Sequence, residues 1–378
     1  MGVRQISIAA LVVTLLALAP DPIAAQSATA TGISRDFNPA LSLNALLLYR
    51  SGLEAVASSE HTHGAAGDGF SVQELELQLT SSVDPYVKGN FILAMHDTDA
   101  IELEEGFAQA LFLPKGLGMR AGKLYFEFGK HNVYHTHQYP FVERPYAWEV
   151  LLGDHGLNGA AVEASWLTPL PWYAEVIAAA FPLTEAIYGD HDIPRNTWGG
   201  GARLRQLWDA SDHATVDFGL SYVGGDALSQ PAGAADSLFE TDVRHFLAVD
   251  LTYKWTGTGA HPRSLALQAE WLRRGDGGLD GRRDDGLYMH ALARVARRVV
   301  LGARFDLYRP LEDAGGTSGP GGAGGEDVRT YTATLAFVPS EFQAIRIDGL
   351  YRDLGNDDDS GLRVQYNLTI GSHPAHRY

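Results

Sequence analysis

"RVQYNLTIG", residues 363–371, sets Val364, Tyr366, Leu368 and Ile370 against Arg363, Gln365, Asn367 and Thr369. Successive side chains of a strand point to opposite sides, so strict alternation marks a β-strand with one apolar and one wet face. The same period recurs upstream. Leu75, Leu77 and Leu79 alternate with Glu74, Glu76 and Gln78. Val216, Phe218, Leu220 and Tyr222 alternate with Asp217, Gly219 and Ser221, and Leu247, Val249, Leu251 and Tyr253 with Ala248, Asp250, Thr252 and Lys254. Leu301, Ala303, Phe305 and Leu307 face away from Arg304 and Asp306.

Alternation alone also fits a soluble sandwich. The connections decide between the two. About 16 strand candidates run from 41–50 to 361–371, each roughly ten residues long. Linkers after even-numbered strands are short, as in "SSVDPY", "DASDH", "RR" and "PSE". Those after odd-numbered strands are mostly long: 51–69, 125–157, 182–197, 224–242, 273–284, 310–326 and 353–360, with 97–101 the short exception. This predicts an all-β fold, a transmembrane antiparallel β-barrel of about 16 strands with short periplasmic turns and long extracellular loops. In lipid every backbone N–H and C=O needs a partner, so a spanning sheet must close on itself. Aromatics near strand ends fit an interfacial girdle: Tyr49, Trp166, Trp172, Trp208, Tyr222, Trp255, Trp271, Tyr308 and Tyr351. A barrel of this size is expected to enclose a water-filled lumen rather than a packed core.

The ends and the composition agree. Arg4, the apolar run Ile6–Ala19, Pro20 and the small residues Ala24-Ala25 read as a signal peptide over 1–25, leaving 26–378 as one barrel domain. The expected location is the bacterial outer membrane. The chain has no cysteine, which excludes disulfides and thiolate metal sites. A net charge of −17 argues against nucleic acid as a partner and favours cations near the surface. The expected partners are outer-membrane lipid and small hydrophilic solutes or ions.

On the wet faces, Glu74, Glu76, Lys88, Arg120, Glu163, Glu175, Asp250, Arg304, Arg346 and Arg363 are the expected pore lining. Arg203 and Arg205 join them on the less regular strand 198–208. With Arg120 and Arg363, they are expected to face carboxylates such as Glu74, Glu76, Glu163 and Asp250 across the pore and to set up a transverse field.

The stretch "KHNVYHTHQYPFVERP", 130–145, lies in the third long linker. At about 33 residues that loop is too long to be structureless. It is expected to fold inward and narrow the pore, with Tyr134, His135, His137, Glu143 and Arg144 at the constriction. Its aromatics, including Phe126, Phe128, Phe141, Tyr146 and Trp148, are expected to pack it against the wall. His135 and His137 share one side of an extended segment, and His131 and His155 are further candidate ligands. Imidazole with carboxylate suits zinc or another divalent cation, although the spacing matches no closed zinc motif. Lining of a constriction by hydrogen-bonding histidines is the alternative. Other outer loops add His61, His63, His96 and His191.

Two resemblances follow from these residues. "RAGKLYFEFGKHN" resembles the "aGq…pfG" segment of phosphate-selective porins, with Ala121, Gly122, Phe128 and Gly129 matching. "FNPALSLNALLLY", "FSVQELELQLTSSVDPY", "HTHQYPFVERP" and "GDHGLNGAAVEASWL" resemble bacterial proteins labelled zinc-regulated outer-membrane receptors. These resemblances imply a porin-like barrel, assembled as a homotrimer. The acidic, histidine-rich outer loops depart from what phosphate selectivity would ask for. The receptor label would imply a plugged barrel, for which the short stretch before the first strand leaves no room. The function expected first is a non-enzymatic channel for small hydrophilic solutes or ions, requiring no cofactor. A zinc or divalent-metal uptake barrel is the alternative. A barrel hydrolase built on His96-Asp97 or Asp190-His191 is the remote one.

Overall fold

The computed structural model describes residues 39–52, 68–96, 101–153, 155–182, 198–229, 240–259, 263–276, 282–310, 327–355 and 358–371. The expected signal peptide, His61, His63 and His191 lie outside the described residues. Sixteen strands form one closed barrel. They are β1 (Ala40–Gly52), β2 (Gly69–Ser82), β3 (Val87–Met95), β4 (Glu102–Ala110), β5 (Leu117–Tyr125), β6 (Asn158–Leu167), β7 (Tyr173–Pro182) and β8 (Trp198–Ser211). The second half is β9 (Ala214–Ser229), β10 (Glu240–Thr256), β11 (Ser264–Asp276), β12 (Arg282–Ala296), β13 (Val299–Arg309), β14 (Val328–Ser340), β15 (Gln343–Asp353) and β16 (Asp358–Gly371). Neighbours pair antiparallel in sequence order, and β1 closes on β16 with Leu43 opposite Ile370 and Arg50 opposite Arg363. Among the described residues closure leaves no edge strand, as lipid requires.

The wall sorts its residues as the alternation dictates. Leu47, Phe91, Val162, Leu251, Leu301 and Ile370 are exposed on the outside. Glu76, Asp250, Arg304, Arg346, Arg363 and Gln365 are buried inside. An apolar surface on this scale around a whole barrel is built for lipid rather than water. Trp166, Trp172, Trp208, Tyr222, Trp255 and Tyr351 stand outward as girdle residues. Tyr308 does not: it is 3% exposed and turns inward against Tyr146.

The lumen is not simply water-filled. Residues 126–157 fold into it and carry a short 3-10 turn (Thr136–Gln138) and a helix, α1 (Tyr146–Leu152). Phe126, Phe128, Trp148 and Leu151 cluster there with Phe181, Phe246, Leu272, Tyr288 and Tyr308 from the wall. The expectation of a lumen without a packed core is therefore corrected. Several inward positions between β7 and β14 are large and apolar, and an inward loop with its own aromatics covers them.

Candidate functional site

The described residues of the loop are fastened to the wall at several points. At its neck, buried Asn132 donates through Nδ2 to the carbonyls of Phe126 (2.9 Å) and Leu157 (3.0 Å), and its Oδ1 accepts from Leu157 N (2.8 Å). Gly129 then passes close to β11 with φ +57°, and a Cβ there would collide with the Glu270 carboxylate. That close approach lets Glu270 accept from the backbone N–H groups of Lys130 (3.0 Å) and His131 (3.1 Å). Tyr288 OH also donates to Glu270 (2.9 Å). Further along, Val142 N donates to Asp348 (2.8 Å), and Arg304 donates to the carbonyls of Glu143 (2.7 Å) and Arg144 (3.2 Å). The Glu143 carboxylate lies 2.6 Å from Arg363 and 3.4 Å from Arg50. Burial works against ionised Glu143, but Arg363 and Arg50 outweigh it and hold the pKa below the ordinary carboxylate value. Helix α1 ends the path, with Trp148 edge-on to Tyr288 at 4.9 Å and Arg352 over the Tyr146 ring at 4.4 Å.

Many of the expected pore-lining residues are thus anchors for the loop or partners for each other. Arg304 and Arg363 hold loop groups, and Arg346 donates to Gln365 (2.7 Å). Arg120 lies 2.6 Å from Glu163, its cross-strand neighbour, and Arg203 lies 3.0 Å from Asp250. These pairs neutralise each other within the wall, so the transverse field expected between them across the pore is corrected. Glu175 accepts from Tyr173 OH (2.5 Å), and Lys88 is half-buried on β3 near the short-turn rim. Beside the loop, a cavity of about 210 Å³ remains, lined by Lys130, Arg203, Arg205 and Lys254 against Glu127 and Asp217.

On another side of the loop the chemistry is acidic. His137 Nδ1 lies 3.1 Å from Glu76 Oε2, and His135 Nδ1 lies 3.3 Å from the same oxygen and 3.1 Å from Glu104 Oε2. His135 Nε2 is 3.4 Å from Glu105. Glu74 is 3.8 Å from His96, which itself meets the Gln73 carbonyl at 3.2 Å. Two β-bulges build this cluster. The β1–β2 register skips Gln73 and the β3–β4 register skips Glu104. A bulge turns consecutive side chains to one face, here Gln73 with Glu74 and Glu104 with Glu105. Burial disfavours the charged form of His135, but Glu104 and Glu76 overcome it and raise the pKa well above the ordinary value.

Of the histidines singled out from the sequence, the structure brings together His135 and His137. His131 packs among Tyr134, Tyr139 and Tyr288, where burial first and Arg144 and Arg304 next push its pKa well down. His155 is exposed on the turn after α1. Tyr134 and Arg144 lie on the inward loop with Glu143. Glu104 and Glu105 were missed in the sequence; the run "ELEE" (102–105), which breaks the alternation with adjacent acids, was their signal. Asp97, Asp190 and His191, on which a hydrolase would depend, lie outside the described residues.

No protein-family model matches the chain. An uncharacterized protein of Aquifex aeolicus is 26% identical over 351 residues, covering 84% of this chain and 72% of that one. Among solved structures, Pseudomonas putida OprB is similar with a TM-score of 0.60 at 10% identity, over 89% of this chain and 94% of that one. The anion-selective porin from Comamonas acidovorans has a TM-score of 0.59 at 10% identity, over 88% of this chain and 100% of that one. The chain has the fold of the outer-membrane porins, a closed antiparallel barrel of sixteen strands.

Proposed function

We propose that this protein is a bacterial outer-membrane channel through which small hydrophilic solutes and ions diffuse past the inward loop. The observation that carries the reading is the charged cavity between loop and wall, inside a barrel whose outside is apolar. Such a channel needs no covalent chemistry; the positions of its charges set what passes. Around that cavity Lys130, Arg205 and Lys254 face Glu127 and Asp217, with Arg203 held by Asp250, and the remaining surplus of positive charge favours small anions there, in spite of the acidic chain as a whole. One structural relative is an anion-selective porin, which accords with this. Assembly as a homotrimer belongs to the same proposal and is tested by light scattering in detergent.

The test is reconstitution of the purified barrel in a planar bilayer. Stepwise currents are expected, with a reversal potential in a salt gradient that marks anion preference. An Arg205→Gln/Lys254→Gln variant should shift that potential towards cations. A barrel that inserts but never conducts would refute the channel. Cation preference unmoved by the double variant would refute the role of the cavity. Uptake of a metal ion is a second reading, favoured by the carboxylate–imidazole cluster; zinc permeation in liposomes loaded with a zinc-sensitive dye tests it.

A further inference from the structure

We infer that Glu76, Glu104, His135 and His137 form a binding site for a divalent transition-metal ion that ties the inward loop to strands β2 and β4. The inference concerns binding, not conduction, and goes beyond the channel reading. Three observations carry it.

First, the donor atoms are already gathered. One oxygen or nitrogen each of Glu76, Glu104 and His135 lie within 4.8 Å of one another, as do those of Glu74, Glu76 and His137. Glu76 is common to both sets. Its Oε2 is 3.3 Å from His135 Nδ1 and 3.1 Å from His137 Nδ1. Ligands about 2.05 Å from a tetrahedral ion sit about 3.3 Å apart, so these two separations, which are hydrogen-bond lengths as well, match edges of such a polyhedron.

Second, four carboxylates, those of Glu74, Glu76, Glu104 and Glu105, face only three imidazoles, those of His96, His135 and His137. Glu74 and Glu76 are 1% and 0% exposed, where uncompensated charge is costly. A dication would lower that density of negative charge, with the ligating imidazoles neutral.

Third, Glu74 is buried and under-satisfied: neither carboxylate oxygen accepts a hydrogen bond of good geometry, with only Thr136 and, at 3.8 Å, His96 beside it, and it is one of the gathered donors. Buried carboxylates otherwise find such partners. A metal ion would satisfy it directly or through bound water. Two imidazoles among carboxylates, with no thiolate in the chain, suit zinc and its neighbours above calcium or magnesium. His135, Glu104 and Glu105 keep side-chain exposures of 8%, 12% and 10%, so the cluster is reachable.

The experiment is calorimetric titration of zinc chloride into the purified, refolded full-length barrel in detergent, after stripping with a chelator. One equivalent should bind with micromolar affinity or better, and calcium should bind at least a hundredfold more weakly. Glu76→Gln, which keeps shape and the contact with Asn44, should weaken zinc at least tenfold, and so should His135→Gln/His137→Gln. Heat-modifiable migration on gels verifies that each variant forms the barrel. Should a variant fail to form it, zinc-edge absorption of the unaltered protein decides: imidazole scattering is expected, and an all-oxygen shell overturns the site. Absence of saturable binding overturns it, as does equal affinity for calcium or full affinity in the double histidine variant. The channel reading fails separately. A barrel that binds zinc but carries no current loses that reading and keeps the site, and one that conducts but binds no zinc loses the site alone.

Discussion

Replacing Glu143 by Gln tests whether the wall charges hold the loop. The substitution preserves shape and removes the charge that Arg363 and Arg50 share. Those guanidinium side chains are 3% and 11% exposed, whereas Glu143 is 25% exposed. Breaking a fully buried pair costs about 3–5 kcal/mol and an exposed one under about 1 kcal/mol. The partial exposure of Glu143 places the loss at about 2–3 kcal/mol. The barrel strands do not depend on this contact, so the loss falls on the docked loop. It should raise the undocked fraction roughly 30- to 140-fold. The chain has no cysteine, so a single Val142→Cys reports undocking cleanly. Val142 is 0% exposed, with its N–H on Asp348 and its carbonyl on Gln73. The rate at which a small thiol reagent labels this position follows the open population when closing is fast. The expected result is a rise of that size in Glu143→Gln over Glu143, with heat-modifiable migration unchanged. A rise of less than about threefold would refute the argument, because the two arginines would then be satisfied without the loop.

The same reporter gives further expected outcomes. Because the pKa of Glu143 is depressed in the docked loop, its contribution is present above the ordinary carboxylate value near 4.5 and is lost as pH falls through the depressed value. Labelling, normalised to that of an exposed reference cysteine to remove the loss of thiolate, should therefore accelerate on acidification below about pH 4.5, and Glu143→Gln should flatten that limb. Gly129→Ala forces a Cβ into Glu270 at a positive φ, costing at least about 1–2 kcal/mol, so labelling should rise at least about fivefold. Trp148→Ala empties the contact of α1 with Tyr288, at about 3–5 kcal/mol of docking energy. It should turn steady single-channel steps into flickering, larger ones; steady currents of unchanged size would count against packing of α1 as the restraint.

Much of this arrangement was legible as sequence. The period of two in 363–371 and its counterparts assigned inside and outside correctly on β2, β9, β10, β13 and β16, because lipid and lumen make opposite demands on adjacent positions. The length and aromatic content of 125–157 announced an ordered loop. What the loop touches was not legible. Glu270 reads as one more wet-face acid until β11 and Gly129 come together 141 residues apart in sequence. Arg120 and Glu163 look like opposed charges on a list and prove to be cross-strand neighbours, since register fixes pairing and a single strand does not state its register, while Arg203 reaches Asp250 two strands away over Gly219 of β9. The bulges at Gln73 and Glu104 were hidden for the same reason: each exists only relative to a partner strand.

The loop's two anchorages differ in kind. Helix α1 docks by apolar burial against β12 and β13, a contact indifferent to pH, salt and metal over ordinary ranges. The segment from His135 to Glu143 docks through charges: the glutamates of β2 and β4 at one end, Arg50 and Arg363 at the other. Such contacts respond to protons and, at the histidines, to divalent cations. "PFVERP", 140–145, joins the two with a proline at each end, which limits how far motion of one is absorbed before it reaches the other. A change of pH or of divalent cation is therefore expected to alter the docking of the charged side and to leave the seat of α1 unchanged.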